Sequence, residues 1–131
     1  MDDELEINEG FEITDALQKE IEKKVAALKA ENPTARAIFP IVVEGNPDYD
    51  EKEVYVGYFR QPDFKTFSKY LSAAANNNAV AMRTLAKDCF IAGDEEMVKD
   101  DSIFLFGTMG QLNKIIEMRN GLLVNLSKTR K

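Results

Sequence analysis

Within the stretch from Leu85 to Phe106, LAKDCFIAGDEEMVKDDSIFLF, five carboxylates crowd the linker that follows Gly93: Asp94, Glu95, Glu96, Asp100 and Asp101. Such a group could hold a divalent cation or supply an acid and base pair for glycoside cleavage. A calcium loop needs ligands at alternating positions, a central glycine and a glutamate twelve residues from the first, and these spacings are not met. A sugar-cleaving pair would want a sugar-sized cleft, and a small chain with no tryptophan platform is poorly suited to one. The placement instead fits the end of one helix and the start of the next, where negative charge near an N-terminus gains about 0.3–1 kcal/mol from the helix dipole.

Nucleophilic chemistry fares no better. Cys89 is the single cysteine and the chain has no histidine, so the usual base that would generate a thiolate is missing. Cys89 falls on the apolar side of its segment with Leu85 and Ala86, which predicts core packing. Gly107 and Gly110 lie three apart, but no G-x-x-x-x-G-K-[ST] pattern surrounds them to cradle a phosphate. These readings nominate no catalytic residue, no metal ligand and no cofactor. The chain is expected not to be an enzyme.

Composition narrows the remaining classes. At 131 residues with 44% hydrophobic content the chain suits one domain, 1–131. A net charge of -6 argues against nucleic acid, whose phosphates require a concentrated basic surface. The charge is uneven: residues 1–12 carry Asp2, Asp3, Glu4, Glu6, Glu9 and Glu12 without a base, whereas the end carries Lys128, Arg130 and Lys131. Both ends read as solvated, partly mobile termini. No apolar run approaches the roughly 20 residues that span a bilayer, and the start lacks a signal-peptide pattern. A cytoplasmic protein without a membrane partner is expected.

The elements that would position these residues follow from period and punctuation. Leu17, Ile21, Val25 and Leu28 form a helical stripe over about 15–31, with Thr14 as N-cap and Asn32 and Pro33 closing it. Ala35, Ala37, Phe39, Ile41 and Val43 then alternate with their neighbours as a strand, and Pro40 places that strand at an edge or bulge. A turn at 45–50 leads to a second strand over 53–60, so an antiparallel hairpin is predicted, with helices needed to cover it. Pro62 is expected in the first turn of a helix bearing Phe64, Phe67 and Leu71, with Tyr70 beside them.

The asparagines 76–78 break that helix and cap the next, over 79–91, which Gly93 would end in a left-handed cap. The last long helix, 102–120, carries Leu105, Met109, Leu112 and Ile116, widened by Ile115 and Phe106. Its two glycines each cost about 1 kcal/mol relative to alanine, which predicts close approach of another helix or of the hairpin. After Gly121, Leu122, Leu123, Val124 and Leu126 form either a packed final turn or an exposed partner-binding segment within the apolar-then-basic tail, 122–131. The fold class is α+β: an N-terminal helix, one hairpin, and three to four helices packed against it.

The order of a hairpin, YFRQPDFKTFSKYL, a helix ending KDCFIAGDEEMVKDDSIFLF and a final QLNKIIE resembles the small tail assembly chaperones of tailed bacteriophages and prophages. The resemblance covers roughly Glu53 to Glu117 and leaves the first helix outside. It implies a non-enzymatic protein of the bacterial host cytoplasm that binds the long tape measure protein while the tail tube forms around it. Alternatives are a structural or adaptor component of a phage particle that self-assembles, or another protein-binding domain. Contact residues for a client would be the hairpin tyrosines expected at the surface, Tyr49, Tyr55 and Tyr58, and the tail leucines Leu122, Leu123 and Leu126. Oligomeric state does not follow from the sequence.

Overall fold

The computed structural model describes residues 11–35, 37–116 and 120–126. The acidic start, Arg36, the stretch 117–119 at the predicted end of the last helix, and the basic residues Lys128, Arg130 and Lys131 lie outside the described residues. Helix α1 spans Asp15–Glu31, and the Thr14 side chain accepts from the Leu17 amide at 3.1 Å. Asn32 ends it, its own amide and its side-chain Nδ2 both donating to the Leu28 carbonyl at 2.9 Å. Strands β1, Ile38–Glu44, and β2, Val54–Arg60, form the expected antiparallel hairpin. Pro40 sits on β1, an edge of the sheet, opposite Tyr58.

A third strand was not anticipated. Helix α3, Asn78–Cys89, stops before Ile91, and β3, Phe90–Gly93, pairs antiparallel with the far side of β2. The segment is short and apolar, so it fits a helix face as well as a strand. Pairing wins because it satisfies backbone groups that a frayed helix end would leave open and lays Phe90 edge-on against Phe59, ring centres 5.5 Å apart. Gly93 does take a positive φ, 111°, but at the strand end and not as a helix cap. A Cβ there would lie 2.4 Å from the Val56 carbonyl oxygen, so backbone closeness adds to the φ requirement.

Alternation sends the two sheet faces into different cores. Phe39, Ile41, Val43, Tyr55 and Phe59 face a large cluster with Met82, Leu85, Cys89, Met97, Phe104 and Leu112. Ile38, Val42, Val56 and Tyr58 face the other way, onto Ile21 and Leu28 of α1. The hairpin is therefore buried on both faces.

Helix α2, Phe64–Ala74, begins at an Asp63 cap, so Pro62 precedes the helix and is not in its first turn. Asn77 caps α3 through the Val80 amide at 3.1 Å. Two short helical turns follow, α4 over Glu96–Lys99 and α5 over Asp101–Ile103. A π-helical turn, Phe104–Thr108, then runs into α6, Met109–Ile116. The wider turn inserts a residue and rotates the buried stripe to Phe104, Thr108, Leu112 and Ile115. Leu105 and Phe106, expected inward, consequently face out, Phe106 at 85% exposure.

Of the two glycines in that stretch, Gly107 has the predicted close approach: a Cβ would meet Val43 of the hairpin at 2.6 Å. Gly110 does not, for nothing lies within 4 Å of its Cβ position.

Candidate protein-binding surfaces

The acids after Gly93 are absorbed by structure one at a time. Asp94 bridges the sheet, its carboxylate accepting from the Val56 amide at 2.9 Å and from Lys52 Nζ at 2.6 Å. That bond holds the Lys52 ammonium above its usual pKa. Glu95 pairs with Lys99 one turn on at 2.7 Å, and the bond lowers its carboxyl pKa. Asp100 caps α5 through the Ile103 amide, and Asp101 takes Arg83 at 2.8 Å. Arg83 also donates to the carbonyls of Val98 and Lys99 and lies over the Phe104 ring, binding α3 to the linker. Met97 and Val98 are buried, as a short turn between helices requires. Among the described residues no three acids or sulfurs converge as a metal site. Cys89 is buried, and desolvation pushes its thiol up to about 11.

The six proposed contact residues divide. Tyr49 is exposed at the hairpin loop, and Leu122, Leu123 and Leu126 are exposed beyond α6. Tyr55 and Tyr58 are not surface residues: they are 4% and 7% exposed. The cause is the two-sided burial of the sheet, since Tyr55 enters the large cluster and Tyr58 lies under α1, where desolvation raises its phenol pKa.

Two of the concavities formed by the described residues lie at opposite ends of β2. At the Arg60 end a groove of about 270 Å³ runs along α2 between Pro62, Phe64, Phe67 and Leu71, closed by Ile116 of α6. Gln61 fastens α6 there by donating to the Ile115 carbonyl at 3.4 Å. Phe67 and Tyr70 pack inward, but Phe64 is 89% exposed and Leu71 57%. Asp63 stands at the groove's edge; its bonds from Thr66, the backbone amide first, hold its carboxyl below the ordinary aspartate value. The helical spacing had set Phe64 and Leu71 on one apolar stripe with Phe67, and the structure buries only part of it. A signal was present: apolar residues at 64, 67, 70 and 71 make a stripe wider than a short helix resting on one neighbour can bury.

At the Val54 end a cleft of about 680 Å³ opens between the start of α1 and the hairpin loop. Its floor is Phe11, Ile13, Leu17, Pro47 and Val54. The lining also carries acids, Glu12, Glu44, Asp50, Glu51 and Glu53, with Lys52 its sole cation among the described residues.

Compared with family models, curated proteins and solved structures, the chain finds no match. The geometry of these surfaces therefore carries the functional reading.

Proposed function

We propose that this chain is a non-catalytic protein-binding domain that works as a tail assembly chaperone, holding the tape measure protein of a phage or prophage in the host cytoplasm. The observation that supports this reading best is the α2 groove, where Phe64 and Leu71 stay exposed beside the half-buried Phe67 and Ile116. Scattered exposed apolar residues are ordinary, but a contiguous row on one helix is the surface an amphipathic client helix seeks. Phe64 and Leu71 stand seven residues apart, two turns of one helix, and match client anchors spaced i, i+3, i+4 and i+7. The net charge of -6 would keep the complex soluble while the apolar surfaces meet.

The proposal requires a tape measure gene near this one, and co-expression with its product tests it. The client's soluble yield should rise with the wild-type chain and fall back with Phe64→Ser plus Leu71→Ser. Glu95→Gln should change little, because an exposed charge contributes only about 0–1 kcal/mol. Equal rescue by the groove variant would reject the groove, and no rescue by wild type would reject the chaperone role.

A further inference from the structure

The acid-lined cleft and the C-terminal segment are opposites in the same molecule. The cleft offers an apolar floor, with Phe11, Leu17 and Val54, under Glu12, Glu44, Glu51 and Glu53. Its one lining cation, Lys52, is already engaged by Asp94 at 2.6 Å. The tail offers Leu122, Leu123 and Val124, exposed by 89%, 90% and 64%, followed in sequence by Lys128, Arg130 and Lys131. An apolar stretch leading into cations is what an apolar floor under carboxylates accepts, because the hydrophobic contact supplies affinity and the charges fix orientation.

The two features lie at opposite ends of β2. The tail leaves from Ile116, beside Gln61, whereas the cleft is lined by Glu53 and Val54. Seven residues of β2 put roughly 20 Å between those ends. The six residues from Ile116 to Leu122 reach about that far when fully extended. A tail bound to its own molecule would thus have to run straight along the sheet with no slack. Two copies side by side and antiparallel bring each tail to the other's cleft without that constraint, and a two-fold pair forms both contacts at once.

We infer that the C-terminal segment, Leu122–Lys131, docks in the acid-lined cleft of a second copy, with its leucines on the floor and its cations against the lining carboxylates. The partner is another copy of this chain, and the cleft and the α2 groove lie at opposite ends of β2.

Sedimentation velocity on the full chain tests this through a charge swap. The wild type should sediment as a dimer at micromolar concentration and dissociate as salt rises, since exposed ion pairs are screened within about 8 Å at physiological strength. Ending the chain after Asn120 should give a monomer. So should Lys128→Glu, Arg130→Glu, Lys131→Glu in one variant, and Glu44→Lys, Glu51→Lys, Glu53→Lys in another. Mixing the two reversed variants should restore the dimer, because each tail then meets a cleft of opposite sign. Circular dichroism melts establish that both variants are folded before mixing. A monomeric wild type overturns the inference, whether the cleft is filled by the chain's own tail or by residues 1–10. A dimer that survives the truncation, or folded reversed variants that stay monomeric when mixed, overturns it equally.

Discussion

On one face of the sheet Phe59 and Tyr55 are sealed by α3, α4 and the π-bulged helix; on the other, Tyr58 and Ile38 meet Ile21 and Leu28 of a single helix. The first cluster holds side chains with no measurable exposure, among them Phe59, Phe104 and Leu112. The second stays slightly open, with Leu28 at 4% its most buried member. The large cluster is the main core, and α1 with the opposite sheet face is a layer added to it. Burying each large apolar side chain is worth about 1.5–3 kcal/mol, so the more enclosed and more populous cluster dominates stability.

Leu112→Ala should therefore cost about 3–5 kcal/mol in urea unfolding, the upper range for a buried leucine, and Leu28→Ala about 2. Hydrogen exchange should likewise find α1 opening before α3 and β2. Equal costs, or a penalty for Leu112 under about 1 kcal/mol, would erase the distinction between the faces.

The glycines sharpen the comparison where the π-bulged helix presses on β1. Gly107→Ala should destabilise by about 1–3 kcal/mol because its Cβ would strike Val43, and Val43→Ala should recover much of that loss. Gly110→Ala should do the reverse and stabilise by about 0.5–1 kcal/mol, since its Cβ enters open space in a helix. Matching signs at the two positions would show that Gly107 is not held by contact with the sheet.

A pH-dependent effect concerns Cys89 on the sealed face. Its folded pKa is raised from 9.0 to about 11, so the native state keeps a proton that the unfolded chain gives up. That contribution is whole below the unfolded value and is lost as pH rises through the window from about 9 to about 11. Stability should fall more steeply across that window in wild type than in Cys89→Ala. Parallel slopes would place the thiol in water.

Where local chemistry decides, the sequence was sufficient. Thr14 and Asn32 bound α1, Pro40 marked the edge strand, Asn77 capped α3, and the odd-numbered face of β1 entered the large core as its alternation required. What escaped depends on contacts distant in sequence. Phe90–Gly93 became a strand because β2 had a free side to offer, and no period within four residues distinguishes that from a helix end. The π turn rotated Leu105 and Phe106 outward, a one-residue insertion invisible to a 3.6-residue pattern. Tyr58 went under α1 although it was expected at the surface. At the groove the same rule applied in reverse: Phe64 and Leu71 have the spacing of core residues, and only the position of the surrounding helices reveals that α2 leaves them exposed.

Hydrogen–deuterium exchange of the full chain, alone and with the proposed tape measure client, tests the groove assignment most directly. Bound client should slow exchange in residues 61–72 and at the end of α6, with the hairpin interior unchanged. Protection confined to α1 or the hairpin loop, with α2 exchanging as in the free chain, would contradict it.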